Sequence, residues 1–551
     1  MYLKINGYEI SCAEGTTWMQ AYEMLPEERK CKNPLGIRVG GETKALIDPA
    51  TEYAHAKVLT FNDEEGRRIY ERSLMLLYIT AVRRVRPDVH VRIEHSYGRG
   101  LYTSLLETAA DDQFVRDVEA EMHRLAEARL PFARKRVSTD DAQEYFARTG
   151  QTDRLRILNY RRFPYFTLYS IGDGLEDYFY GIMAPDTGSV CVFKLVKCGS
   201  GVVVMRPKRK NSAEPAGFEF MPKLQQVFLE SSEWNRILNC RNAADLNEMV
   251  EQHRIREFIR VNEALQEHKI DEIAQQFIAS GARLILIAGP SSSGKTTFSN
   301  RLSIALRVYG LRPVKISLDD YYRNRSELPR EADGTIDFER IDTLDTHLIS
   351  DHLKRLMASE TVERPEYDFT TGMRKEETHP MCVEDGQPII IEGIHGLNDR
   401  LTEGINRAQK FKIYISALTV LNLDDHNRIR TTDARLLRRI VRDNLFRGTL
   451  PEETMSMWDS VRRGEVNYIF PYQEKADAMI NSSLTYELVI MKKYAFPLLA
   501  AVHPDSPHYT MAQRLMKFLN YIQVADVEDE IPINSILREF IGGNVFYRNN
   551  D

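Results

Sequence analysis

The sequence predicts an α/β chain: a mostly parallel sheet covered by helices in the C-terminal half, preceded by a small strand-rich unit and an α+β region. Three observations carry this. From Ala282 onward, apolar runs of strand length alternate with helical stretches, the pattern of a sheet buried on both faces. One of these runs leads through a glycine-bracketed loop directly into a helix. Near the start, short alternating runs are separated by turn glycines.

Taken in order, residues 1–62 contain YLKINGYEI, GIRVGGETKAL and KVLTF around one helical stretch, TWMQAYEML. That predicts a small β-grasp unit. Residues 63–225 mix strands and helices. Within a connector expected over 226–280, residues 242–279 have no Gly or Pro and many charges, predicting one or two long amphipathic helices. The C-terminal domain, 281–500, has four expected strands: LILIA (284–288), PVKISL (313–318), PIIIEG (388–393) and KFKIYIS (410–416). The tail, 501–551, reads as helical through YTMAQRLMKFLNYI.

At 551 residues the chain is too long for a single core. Its net charge of −6 gives no global nucleic-acid signature. Six scattered cysteines, without metal-type spacing, read as free thiols of a reducing compartment. The opening MYLKINGYEI has no secretory pattern, and no apolar run approaches a membrane span. The expectation is a cytoplasmic protein without a membrane partner.

Gly289-Pro290-Ser291-Ser292-Ser293-Gly294-Lys295-Thr296-Thr297 fits the Walker A pattern between an apolar strand and a helix. Its glycines let successive N–H groups turn toward phosphate oxygens, and the helix N-terminus adds partial positive charge. Lys295 is expected on the β/γ-phosphates and the Thr296 hydroxyl on Mg²⁺. Phosphoryl transfer also needs a carboxylate for the metal, a group for the attacking hydroxyl, and cations around the moving phosphoryl. Chemistry in such sheets collects at the carboxyl ends of strands, where Glu392 suits the metal and Asp319 the acceptor. Arg435, Arg438, Arg439 and Arg442 lie at i, i+3, i+4, i+7 and share one helical face; a mobile lid over the phosphates is expected from them. No Asn-Lys-x-Asp guanine reader is found, so the expected donor is ATP.

This half resembles the uridine/cytidine kinases, relatives of phosphoribulokinase. The likeness rests on GPSSSGKTT, SLDDYY, DFERIDTLD (337–345), PEYDFTTGMRKEET (365–378), IIIEGI, RLLRRIVRD (435–443) and EKADAMI (474–480), in order over about 200 residues. It implies a P-loop kinase using ATP and Mg²⁺, with Asp319 as acid/base beside a nucleoside 5′-hydroxyl. It also implies Tyr322, Glu339, Tyr367 and Arg374 as substrate-binding residues, Arg438 and Arg442 as lid arginines, and Asp477 near the adenine. Two departures stand out. Where uridine kinases carry a base-reading His, this chain has Gly372, whose missing ring would open room and relax pyrimidine preference. The segment NLDDHNRIRTTD (422–433) looks inserted. A kinase for another small hydroxyl substrate, such as a sugar phosphate, and an RNA-binding or ligand-sensing protein using ATP as a switch are the competing readings. A switch needs the loop but not Asp319, Tyr322, Tyr367 and the arginine face together.

NDEEGRRIYERSLMLLYITAVRRVRPDVHVRIEHSYGRGLYTSL and EDYFYGIMAPDTGSVCVFKL resemble the front of threonyl-tRNA synthetase, a TGS domain followed by the editing domain, over roughly residues 1–225. The editing residues are replaced: Arg72 and Leu76 stand for the HxxxH pair, Phe179 and Met183 for the Cys-x-x-x-His pair. The resemblance therefore implies an inactive domain without metal. His90 and His95 are expected to be surface or hydrogen-bonded histidines. Three basic clusters (Arg129 with 134–136; Arg154, Arg156, Arg161, Arg162; 206–210), interleaved with Tyr160, Phe163, Tyr165 and Phe166, raise RNA as a partner. A homo-oligomer is left open.

Overall fold

In a computed structural model, the structure describes all residues except 53, 162, 173, 209–212, 331–335, 369–370 and 548–551. In the C-terminal half, five parallel strands lie in the order Val314–Ser317, Ile389–Glu392, Leu284–Ala288, Lys410–Ser416, Ala478–Asn481. The predicted parallel sheet is there, and its four expected strands appear within a residue of their ends. The fifth, AMIN, is too short to carry a period. Leu284–Ala288 and Lys410–Ser416 are buried at every position, which is why they read as continuous apolar runs. One face packs Ile285, Ile287 and Ile413 against Phe298 and Leu302 of helix Lys295–Val308 and Ile273 and Phe277 of helix Ile255–Ser280. The other packs Leu284, Leu286 and Ile391 against Ile349 and Leu353 of helix Thr346–Met357. Helix Ile255–Ser280, read as part of a connector, thus also forms one layer of this core. It stops at Gly281, whose φ of 66° places it in the left-handed conformation of a helix C-cap.

The first sheet runs Tyr8–Ser11, Tyr2–Ile5, His55–Leu59, Gly36–Val39, Glu42–Lys44, with Tyr2–Ile5 and His55–Leu59 parallel and the other neighbours antiparallel. Helix Trp18–Glu23 covers it and buries Trp18 completely; a reciprocal cap between Thr17 and Gln20 begins that helix. Next come a four-stranded antiparallel sheet (Lys194–Cys198, Gly201–Met205, Gly100–Leu105, Val91–Tyr97) and a three-stranded one (Asp177–Tyr178, Tyr165–Ile171, Phe132–Ser138). Between them lies helix Glu64–Val85, buried over most of its length. His90 is exposed and pairs with Glu107 at 2.5 Å. His95 departs from expectation: it is buried, its ring stacked 3.6 Å from Phe228.

The segment 422–433 joins the halves. Asn422 donates to the Ile93 carbonyl at 2.7 Å, Asp425 pairs with Arg92, His426 meets Asp177 at 2.7 Å, and Arg428 and Arg430 both reach Glu71. Asp177, fully buried, also holds Arg154 at 2.8 Å. Arg156 pairs with Asp245 and Glu248 at 2.7 Å, and Tyr160 donates to Glu251 at 3.0 Å. These members of the second basic cluster are therefore internal fasteners rather than a free cationic face, and Phe166 is core. Of that cluster, Arg162 lies outside the described residues, as do positions 209 and 210 of the third.

Candidate active site

The loop 289–294 is bent by local stereochemistry. Gly294 has φ 79° and Ser292 φ 59°, a left-handed conformation unusual for a residue with a side chain. Gly289 passes so close to the Ile415 carbonyl that a β-carbon would collide with it. Lys295 folds over the loop and donates to the Gly289 and Pro290 carbonyls at 3.1 and 3.3 Å. The Thr296 hydroxyl donates to Glu392 at 3.2 Å.

Sheet order explains this convergence. The strands ending at Ser317 and Glu392 are neighbours, and the second borders the P-loop strand. Asp319 and Glu392 therefore face Lys295 and Thr296 from adjacent strand ends. Asp319 meets the solvent of the cleft, but protein closes around it on the remaining sides. That burial raises its carboxyl above the usual range, against the pull of Lys295, Arg447 and Arg442. Burial, and then the Asp319 carboxylate, pushes Glu392 up to about 7. Two carboxylates and a hydroxyl facing one another suit a hard divalent cation. Among the described residues no three His, Cys, Asp or Glu side chains form a metal cluster. Mg²⁺ would be held by Thr296 and Glu392 and completed by phosphate oxygens and water, as this ion prefers.

Glu392 makes the stability of the protein depend on pH. Its folded pKa of about 7 stands above the ordinary 4.5, so its contribution is full below 4.5 and is lost as pH rises through 7. Glu392→Gln is expected to stabilise the ligand-free protein at pH 8 by about 1–2 kcal/mol after allowing for solvent in the cleft, seen as a raised thermal midpoint. Little change is expected at pH 4.5. Thermal melts of both proteins at the two pH values check this; equal shifts at both would refute it.

Beside Asp319, Tyr322 and Tyr367 are buried with ring centres 5.5 Å apart. Burial, and then Glu465, pushes nearby Glu339 up to about 7. Arg374 is placed differently from its expected substrate role. It donates to the Tyr322 and Tyr321 carbonyls at 2.8 and 3.1 Å and pairs with Asp345, so it fixes the loop that carries the tyrosines. The room expected at Gly372 is taken: a β-carbon there would lie 2.8 Å from Nε of Arg325. Phe369, next in the tyrosine segment, lies outside the described residues.

The arginine helix, Thr431–Arg447, is not built as a mobile lid. Leu436, Leu437, Ile440 and Val441 are buried on one side. On the other, Arg435 donates to the Ser291 carbonyl at 2.8 Å and pairs with Glu465. Arg438, fully buried, pairs with Glu487 and donates to the Ser482 carbonyl at 2.8 Å. These two hold the scaffold of the loop. Arg439 reaches the Ser291 hydroxyl at 3.0 Å, while Arg442 pairs with Asp443 at 2.9 Å and acts on Asp319. Asp477 is also displaced from its expected role. It accepts from the Lys412 N–H at 2.8 Å and pairs with Arg407 at 2.5 Å, level with the middle of the sheet and before the end from which the loop departs.

No pattern in the sequence foreshadows where the C-terminal tail lies. Glu539 accepts from the Thr297 N–H at 3.3 Å and its hydroxyl at 2.7 Å. Asn544 donates to that hydroxyl at 3.2 Å, and Ile536 touches Gly294. A carboxylate thus sits on a free N–H at the first turn of the P-loop helix, where anions are favoured. Removing this competing charge by Glu539→Gln is expected to lower the KM for ATP about threefold to tenfold. Initial rates at saturating acceptor measure it, and an unchanged or raised KM would refute the competition.

Residues 284–488 match the model of the Phosphoribulokinase / Uridine kinase family. A uridine kinase of Bacillus pumilus is 33% identical over 198 residues, covering 36% of this chain and 85% of the relative. One of Deinococcus deserti is 28% identical over 199 residues, covering 36% and 86%. Among solved structures, a possible uridine kinase from Bacillus stearothermophilus aligns at 20% identity over 39% of this chain and 98% of that one. Its TM-score of 0.27 is too low to argue from.

Proposed function

Because the chain belongs to the phosphoribulokinase/uridine kinase family, we propose that it is an ATP-dependent nucleoside kinase transferring the γ-phosphate to a 5′-hydroxyl. The observation that carries this reading is the placement of Asp319 and Glu392 on adjacent strand ends facing Lys295 and Thr296, with the Tyr322–Tyr367 pair alongside.

In this mechanism the loop N–H groups and Lys295 bind the phosphates of ATP. Tyr322 and Tyr367 wall the nucleoside, and Glu339 accepts from a ribose hydroxyl. Asp319 orients the 5′-hydroxyl and receives its proton as the new P–O bond forms and the bond to the leaving ADP breaks. Bound Mg²⁺ would offset phosphate charge. Arg439 and Arg442 add positive charge beside the loop, and Arg435 and Arg438 keep the loop in shape. Arg325, over Gly372 and in the field of Tyr367, is the side chain we assign to the base end of the pocket. A guanidinium there offers donors to a carbonyl-bearing base edge. We also propose that residues 1–62 and 63–225 are TGS-like and editing-like units without editing chemistry.

The test is ATP consumption with product mass, using uridine, cytidine, adenosine, guanosine, inosine and a set of phosphorylated sugars. A nucleoside 5′-monophosphate as the main product is expected. Turnover only with phosphorylated sugars, or ATP hydrolysis without any phosphorylated product, would overturn the proposal.

A further inference from the structure

Between the front half and the arginine helix lies a cavity of about 1100 Å³. None of residues 289–297 lines it, so it is separate from the P-loop cleft. Its walls come from helix Glu64–Val85, the strands around Arg136 and Tyr165, the segment 423–433 and the tail helix Tyr509–Leu519. This is where two sequence features left unexplained by phosphoryl transfer meet: the basic–aromatic stretches around 134–136 and 161–165, and Arg72 in its replaced editing position.

The charges on the wall do not balance. The carboxylates Glu65, Glu71 and Asp433 are already met by other arginines: Arg68 and Arg514 at 3.9 and 3.8 Å on the first, Arg428 and Arg430 on the second, and Arg68 and Arg514 on the third. Four cations, Arg72, Arg136, Arg161 and Lys517, have no carboxylate ion pair among the described residues. Arg161 lies with its guanidinium 3.7 Å over the Phe166 ring, and its Nε and Nη1 are buried without an acceptor. A guanidinium whose face is stacked presents its N–H edge, the geometry that grips a phosphate in a fork. Arg72 reaches in over Gly181, where a β-carbon would lie 2.8 Å from its guanidinium, and donates only to the Ile182 carbonyl among the described residues. Arg136 lies 3.4 Å over the Tyr165 ring. Lys517 touches solvent inside the cavity, but protein encloses it. That burial, then Arg72 and Arg161, pushes its ammonium down to about 8. Buried donors without partners are rare in folded proteins and call for an unseen acceptor. Phe163 and Tyr165 add partly exposed aromatic surface on the same wall.

We propose that this cavity is a second ligand site that binds a nucleotide, its phosphate held by Arg72, Arg136, Arg161 and Lys517 and its base set against Phe163 and Tyr165. The volume, about 1100 Å³, is slightly above the usual range for small-ligand pockets and leaves room for a nucleotide, and walls from four directions favour it over a continuous RNA strand. The segment 423–433 forms part of the wall and leads directly into the arginine helix, so the ligand would sit beside the element that holds Ser291.

The experiment is equilibrium dialysis of the full chain carrying Lys295→Ala, with labelled AMP, GMP, CMP and UMP. Orthophosphate and a short single-stranded RNA oligomer serve as comparison probes. At least one nucleotide is expected to bind with one equivalent that weakens about tenfold or more on adding Lys517→Gln or Arg136→Ala. Both side chains are exposed to the cavity, so the fold is expected to survive, with circular dichroism and thermal melts as the check. Arg161→Ala provides a third, buried variant. Nucleotide binding indifferent to Lys517→Gln and Arg136→Ala, or no nucleotide binding, would overturn the proposal. So would orthophosphate binding as tightly as any nucleotide, which would mark a bare anion site, or the RNA oligomer binding more tightly than all four nucleotides.

Discussion

Asp319→Asn is expected to lower kcat on the true acceptor by about 100-fold or more while leaving the fold intact. Asn keeps the size of the carboxylate but cannot take the hydroxyl proton. The fold should be indifferent, or slightly favoured, because Asp319 carries a raised pKa in a confined cleft where an ionised group is disfavoured. The same raised pKa sets a second expectation. The base must be ionised to act, so the acid limb of kcat/KM for wild type should lie above the ordinary carboxylate range, and the limb should be lost in the variant. Steady-state kinetics across pH, with thermal melts of each protein, test both parts. Near-normal turnover by Asp319→Asn would remove it from the role of base and leave phosphate positioning by the loop as the main catalytic term.

Arg438→Ala is expected to destabilise the protein by about 3–5 kcal/mol, the cost of leaving a buried partner charge unpaired. Arg438 is fully buried, with Glu487 and the Ser482 carbonyl as partners and its guanidinium 4.9 Å over the Phe540 ring. Its loss strands Glu487 beside the core formed by helix Glu487–Ala500. Arg442→Ala, one helical turn on and partly exposed, is expected to do the reverse: little change in melting and a clear loss in kcat. Denaturant unfolding with parallel kinetics separates the two. A stable Arg438→Ala protein with only a raised KM for ATP would restore the lid reading and refute the structural one.

These two arginines show where reading the sequence stops. Their spacing correctly places both on one face of one helix, because 3.6 residues per turn is a local property. Which neighbour that face meets is not local. Glu487 and Ser482 reach Arg438 only through the path of the chain after the fifth strand, and no period within 433–448 encodes it.

The sequence by itself determined the P-loop and its flanking strand and helix, the parallel sheet, and the presence of carboxylates at two strand ends. All of these rest on short-range rules: backbone freedom at glycine, continuous apolar runs in strands buried on both faces, and the register that follows from them. The tertiary structure alone decided the rest. It moved Arg374 and Asp477 into backbone-holding roles and filled the space over Gly372 with Arg325. It turned segment 422–433 into the fastener between halves, laid Glu539 on Thr297, and gathered Arg72, Arg136, Arg161 and Lys517 around one cavity. Each of those outcomes joins residues tens to hundreds of positions apart. Such pairings are selected by packing and charge balance over the whole fold, and a linear pattern carries no record of them.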